Sequence, residues 1–236
     1  MKVDALVSWP KNNDYPLWRQ MIHQNRNRFE KVIVVFTETY SGHDYREFVI
    51  EAMKNDTVEF VQSLPPTGDN DWRDMSVNIG LNRVVSEWVW FTEQDFFPSP
   101  QFWDEVAEVE NTFKVLTIKE GSRLHPACIF VPMDLVLKTR RRFGIIVDLH
   151  DHFFNFFTDL KLLTSSFFIL DSERYRHMNG LSHNWSLLES GGEITYKPEE
   201  FTGYLLDCLQ IKDVPLNEQF IGTAQRWLSK HQADYV

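Results

Sequence analysis

Apolar residues in this chain fall into short continuous runs, and between those runs they recur at helical spacing. Val3 to Trp9 has the composition of a buried strand. Asp14-Tyr15-Pro16 then opens a helix, with Asp14 as its cap candidate and Pro16 in the first turn, where a missing N–H costs nothing. Leu17, Met21 and Ile22, with Phe29 beyond them, keep roughly helical spacing. Lys31 to Thr37 is the clearest strand, almost wholly β-branched or aromatic. Tyr45 to Met53 reads as a helix, Thr57 to Gln62 as a strand, and Ser63 to Asn70 as a loop rich in Pro, Gly and Asp. Trp72 to Val85 is the next predicted helix and Glu87 to Phe91 a short apolar strand. Pro100 to Glu110 follows as a helix and Phe113 to Ile118 as a strand. This alternation predicts an α/β fold with a mostly parallel sheet and helices on both faces.

The second half is less regular. Ala127 to Val131 reads as a strand and Met133 to Arg142 as a helix. His150 to Leu163 is an aromatic-rich helix, and Ser166 to Leu170 a strand. Tyr175 to Ser190 is polar, with turn signals at Asn179-Gly180 and Gly191-Gly192. Phe201 to Leu209 and Phe220 to Ser229 are the closing helices. No repeat, low-complexity tract or linker divides the chain, so residues 1–236 are expected to form one domain.

Composition narrows the function. The net charge of −10 argues against a protein that coats nucleic acid nonspecifically. An aromatic share of 14% calls for a large aromatic core or a stacking site. Cys128 and Cys208 are far apart and fit no metal or redox spacing, which points to reduced thiols in the cytoplasm. The apolar run at the amino terminus is short for a signal peptide, and no segment approaches a membrane span. The expectation is a cytoplasmic protein without integral membrane association.

The candidate chemistry lies after the Glu87 to Phe91 strand. That strand runs directly into Thr92-Glu93-Gln94-Asp95, where two carboxylates sit two residues apart. Open parallel sheets bind ligands just past the carboxyl ends of their strands. A Glu-x-Asp there is well placed to hold a divalent cation, which takes oxygen ligands and usually accompanies a phosphorylated substrate. Standing alone, the same turn would read as a solvated cap for the next helix.

Four segments occur in a telling order: Val7-Ser8-Trp9-Pro10, then Val32 to Glu38, then Ser76-Val77-Asn78-Ile79-Gly80, then Ser86 to Asp95 with Pro98 and Pro100 beyond. Over roughly residues 3–105 this resembles an inverting, family-2-like, nucleotide-sugar-dependent GT-A glycosyltransferase. That family carries an A-R-N-x-G helix followed by G-E-Y-I-x-F-L-D-x-D. This chain departs from it in three places: Val77 replaces the Arg, Glu93 replaces the first Asp, and Glu38 stands alone where an acidic pair is usual.

The resemblance implies a GT-A, Rossmann-like sheet. About residues 1–110 would bind the donor, and about residues 111–236 the acceptor. It implies a hexosyl- or pentosyltransferase that uses Mn²⁺ or Mg²⁺ and a nucleoside diphosphate sugar, a UDP-sugar first. The cation would rest on Asp95, assisted by Glu93, and would offset charge on the leaving diphosphate. Arg73 would meet a phosphate or a nearby carboxylate, and Asn78 would orient the acidic loop or the sugar. Ser8, Pro10 and Glu38 would frame the base and ribose. Several members add a carboxyl-terminal His to the metal shell, which singles out His183, with His177 second. The family also carries an acidic residue at a helix start near Val147 to Phe154. Asp151, then Asp148, is the candidate general base, kept ionised by the helix end. The plainer reading makes both of them helix caps.

Arg140, Arg141 and Arg142 belong to the one basic run, Lys138 to Arg142. It reads as a solvated helix face or as a local site for a phosphate-bearing acceptor. Small soluble GT-A-like proteins of bacteriophages glycosylate hydroxymethylated bases in DNA, and this chain is similar in size. Such a base is flipped out and stacked on aromatic rings, for which Trp185 is a candidate. Three functions follow: a metal-dependent glycosyltransferase acting on a glycan or small hydroxyl acceptor, the same chemistry on modified DNA in a host cytoplasm, or an inactive nucleotide-sugar-binding module.

Overall fold

The apolar runs nearest the amino terminus become neighbouring parallel strands. The computed structural model describes residues 2–9, 15–37, 58–63, 71–139 and 154–231. In it β1 (Val3–Trp9) pairs along its length with β2 (Phe29–Thr37). Both are covered on both faces, which is why they lack polar alternation. β3 (Val58–Ser63) joins β2 and β4 (Trp88–Thr92) joins β1, both in parallel. Between the strands lie α1 (Pro16–Asn25), with its proline in the first turn, and α2 (Asp71–Leu81). The predicted cap Asp14 and the predicted helix at Tyr45 to Met53 lie outside the described residues.

Two contacts seat α2 and the loop after it. A Cβ added to Gly80 would stand 2.2 Å from Leu6 Cδ1 and 2.9 Å from Val35 Cγ2, so the helix rides directly on the sheet. The fully buried Asp4 carboxylate accepts hydrogen bonds from the backbone N–H groups of Val85 (2.5 Å) and Ser86 (3.0 Å) and from Ser86 Oγ (2.8 Å). These bonds satisfy the buried charge and fix where β4 begins.

Chain order and spatial order then part. The turn after β4 leads to β5 (Phe96–Pro98) and α3 (Pro100–Val109), which is capped by the Ser99 side chain. β6 (Val115–Glu120) and β7 (Arg123–Pro132) form a hairpin in which Glu120 pairs with Arg123. Gly121, at φ 57°, supplies the left-handed residue such a tight turn requires. A two-residue connection forces antiparallel pairing. β7 inserts between β4 and β6, and the seven-stranded order is β3-β2-β1-β4-β7-β6-β8. β8 (Phe167–Ile169) is parallel to β6, so among the described strands of this sheet β7 alone runs against the rest.

The remaining elements are α4 (Met133–Lys138), α5 (Phe154–Leu163), β9 (Tyr175–His177), α6 (Leu181–Glu189), α7 (Pro198–Leu209) and α8 (Glu218–His231). The aromatic excess is largely core. Trp90 stacks between Phe29 and Phe130 at centroid distances of 5.7 and 5.3 Å. Trp185, expected as an acceptor platform, is buried and stacks on Phe220 at 4.8 Å, so its ring face is spent on packing. Cys128 and Cys208 are buried free thiols, and burial drives the Cys128 pKa far up, which makes it unreactive. Among the described residues no helix is long and apolar enough to cross a membrane.

Candidate metal centre

β4 delivers its carboxyl end to a tight turn. Phe96 N–H donates to Glu93 O at 3.3 Å, and Glu93 N–H donates to Ala127 O at 3.3 Å, which ties the turn to β7. The chain then enters β5, whose antiparallel partner is β9, with Phe96 opposite His177 and Pro98 opposite Tyr175. Met178 N–H donates to Asp95 O at 2.9 Å and extends the contact. β9 is anchored from outside. Arg176 donates to the Asp207 carboxylate at 2.8 Å and to Glu200 O at 3.1 Å.

The ladder sets His177 against the acidic turn. Its Nε2 lies 3.6 Å from Asp95 Oδ1 and 3.9 Å from Glu93 Oε2. The three side chains offer ligand atoms within 4.8 Å of one another. All three are largely withdrawn from solvent, His177 most of all at 5% side-chain exposure. Both ring nitrogens of His177 are buried, and carboxylates are the polar groups facing them. Burial pushes its pKa down, but the Asp95 carboxylate, with Glu93 and Glu120 behind it, more than offsets this, and the net shift is upward. A pocket that draws a proton onto imidazole is one in which negative charge is in excess. Two carboxylates and an imidazole suit a divalent cation in charge and ligand type.

The other predicted residues divide. Val7 pairs with Thr92, which puts Ser8, half-buried, at the level of Glu93 on the same edge of the sheet. Asn78 is half-buried on α2, one turn before its end. Val77, where the resembled family has Arg, is buried in the core beneath α2. His183, placed ahead of His177 in the sequence reading, is exposed on α6 and joins neither cluster of potential ligands. Pro10, Glu38, Arg140, Arg141, Arg142, Asp148 and Asp151 lie outside the described residues, as does the Arg73 side chain.

The sequence reading missed Glu120 and His125. Glu120 ends β6 and faces His177 from the other side, with Oε1 3.4 Å from Nδ1. Its Oε2 lies 3.4 Å from His125 Nε2, and the His125 and His177 rings are 4.6 Å apart. The register of β7 shifts between the partners of Thr117 and Ile118, and this irregularity brings His125 to the rim. The Gly121-Ser122 turn signal between two apolar runs was the clue to the hairpin. A separate depression lined by Lys2, Glu30, Ser86 and Glu87 lies at the opposite ends of β1 and β4, away from these groups.

No family model and no curated protein matches the chain. Solved structures do. TarS from S. aureus is similar over 98% of this chain and 43% of its own length, with TM-score 0.56 and 16% identity. Its 1–349 fragment matches over 99% of this chain and 72% of its own, with TM-score 0.53 and 15% identity. The mannosyltransferase PcManGT from Pyrobaculum calidifontis, solved with GDP-Man and Mn²⁺, matches over 98% of this chain and 75% of its own. Its TM-score is 0.52 and its identity 12%. The chain has the GT-A fold. Its mostly parallel sheet, single reversed strand and acidic turn after β4 are the frame of that fold, and the chain spans less than half of the TarS structure it matches.

Proposed function

We propose that this chain is a glycosyltransferase that moves a sugar from a nucleoside diphosphate donor to an acceptor hydroxyl. The buried convergence of Glu93, Asp95 and His177 at the carboxyl end of β4 carries the reading. These three side chains would hold a divalent cation, Mn²⁺ or Mg²⁺, whose chemistry when bound is to offset the charge that grows on the departing diphosphate.

The remaining roles fall to the chain's own residues. Asp95 is the principal ligand, and Glu93 reaches the same point with a longer arm. Ser8, Pro10 and Glu38 frame the base and ribose of a UDP-sugar, Arg73 meets a phosphate, and Asn78 orients the acidic turn. Asp151, with Asp148 as the alternative, accepts the proton of the attacking hydroxyl, and the sugar is transferred with inversion. About residues 1–110 hold the donor and about 111–236 the acceptor. Arg140, Arg141 and Arg142 bind a phosphate-bearing acceptor.

A thermal-shift panel of nucleoside diphosphate sugars, with and without Mn²⁺, tests the reading. At least one donor is expected to raise Tm in Mn²⁺ and to lose that effect in Asp95→Ala. A panel in which no donor shifts the wild-type protein would sink it.

A further inference from the structure

Glu120 is the group the proposed mechanism leaves unused, yet it stands against the most buried ligand of the site. Its two oxygens face opposite ways. Oε1 accepts a hydrogen bond from Asn179 Nδ2 and lies 3.4 Å from His177 Nδ1. Oε2 lies 3.4 Å from His125 Nε2.

The protons in this cluster have a direction. Ala127 N–H donates to His125 Nδ1 at 3.2 Å, so that nitrogen carries a lone pair. In a neutral imidazole the proton must then sit on Nε2, which faces Glu120. Glu120 therefore meets N–H donors from His125 and Asn179 and is held as an acceptor. Its Oε1 also faces the buried Nδ1 of His177 at 3.4 Å. A proton on Nδ1 leaves the lone pair on Nε2, the atom that faces Asp95 and Glu93.

The same residues raise a second reading. Glu120, His125 and His177 offer ligand atoms within 4.8 Å of one another, as a separate cation site would. That site would need the Nε2 lone pair of His125, and the Ala127 N–H already takes the lone pair on the other nitrogen. His177 would also have to ligate through both nitrogens. The proton directions favour an outer partner over a second cation.

We propose that Glu120 is a positioning residue for His177: its carboxylate accepts a hydrogen bond from the Nδ1–H of the imidazole and keeps the Nε2 lone pair aimed at Glu93 and Asp95. His125 and Asn179 hold Glu120 in place. The proposal rests on the reading of Glu93, Asp95 and His177 as a cation centre. Histidine ligands commonly donate their second N–H to a carboxylate in this way, and loss of that partner typically costs about 10–100-fold in metal affinity.

The test combines two measurements on the full chain. Long-range ¹H–¹⁵N spectra of histidine-labelled, metal-free protein at alkaline pH report the His177 tautomer. The wild type is expected to show the Nδ1–H form, and Glu120→Ala a shift toward Nε2–H, because Asp95 then becomes the better acceptor. Glu120→Gln, which keeps a carbonyl acceptor, is expected to fall between. Calorimetric Mn²⁺ titration is expected to give one equivalent, with affinity lowered about 10–100-fold in Glu120→Ala. Glu120 is close to half exposed, so its removal does not open the core. An Nε2–H tautomer in the wild type, or an unchanged tautomer in Glu120→Ala, overturns the proposal. So does a second equivalent that His125→Ala removes. An expected tautomer shift in a protein that binds no Mn²⁺ would uphold the role of Glu120 and remove the cation reading. Mn²⁺ binding lost in His177→Ala but untouched in Glu120→Ala would do the reverse.

Discussion

Nε2 of His177 stands 3.6 Å from Oδ1 of Asp95, a contact between the carboxyl-terminal and amino-terminal halves of the chain. Side-chain reach alone does not explain it. Asp95 leads into β5, His177 closes β9, and the two strands are hydrogen-bonded with Phe96 opposite His177.

In the proposed function this contact would make His177 a direct ligand of the cation. His177→Ala is expected to weaken Mn²⁺ binding by more than the ~10–100-fold typical of losing an outer partner. His183→Ala, on an exposed helix position, is expected to leave it unchanged. Calorimetric titration of both variants checks the assignment, and the opposite ranking would reverse it.

The upward pKa shift of His177 gives a signed pH dependence. Its folded pKa lies above the ordinary imidazole value of 6.5. In the metal-free protein its charged form therefore contributes stability that is complete below 6.5 and is lost as pH rises through the folded pKa. Tm is expected to fall across that window more steeply in the wild type than in His177→Gln. Mn²⁺ affinity is expected to rise over the same window, because only neutral imidazole ligates. Equal Tm slopes in the two proteins would remove the effect.

Gly80 is required by space rather than by backbone conformation. Gly80→Ala drives a methyl group into Leu6 and Val35, and overpacking of this kind costs about 1–3 kcal/mol. Denaturant unfolding measures it. A neutral result would mean that α2 can lift from the sheet without loss.

Asp4 joins the start of β4 to β1 through three hydrogen bonds to a buried carboxylate. Bonds to charged groups are worth about 1.5–3 kcal/mol each, so Asp4→Ala is expected to cost about 3 kcal/mol or more. Asp4→Asn, which keeps one acceptor oxygen, is expected to cost less. Urea midpoints of the two variants give the comparison.

The proposed base is separable from the donor site. Asp151→Asn is expected to keep donor affinity and lower turnover by ~10²–10⁴, the range for a lost general base. Full turnover in Asp151→Asn together with loss in Asp148→Asn would move the role to Asp148.

Much of the first half was legible because its strands are unbroken apolar runs and its helices carry Pro or Ser at their starts, as at Pro16 and Ser99-Pro100. The acidic turn was legible for the same reason, since it ends such a run. The place of β7 was not, because a run of apolar residues says nothing about which strand it lies beside. β5 and β9 are three residues each, too short for any period to show. With β9 unseen, His177 and His183 looked equivalent in one polar stretch, and His183 was placed first although only His177 is paired to the acidic turn. Trp185 misled for a related reason: an aromatic residue in a polar context signals a stacking surface only when its ring is not already packed.

The pairing of β5 with β9 has one more consequence. Its bonds run between peptide groups, so it does not depend on which side chains flank the turn. The separation between the acidic turn and the imidazole is then a property of strand spacing, which holds near 4.8 Å across a ladder whatever the sequence. Individual ligands can be exchanged on this frame, a Glu for an Asp or a thiolate for an imidazole, without re-laying the scaffold. Glu93, one methylene longer than the residue the resembled family places there, would in the proposed cation site be such an exchange, and the frame beneath it is the same.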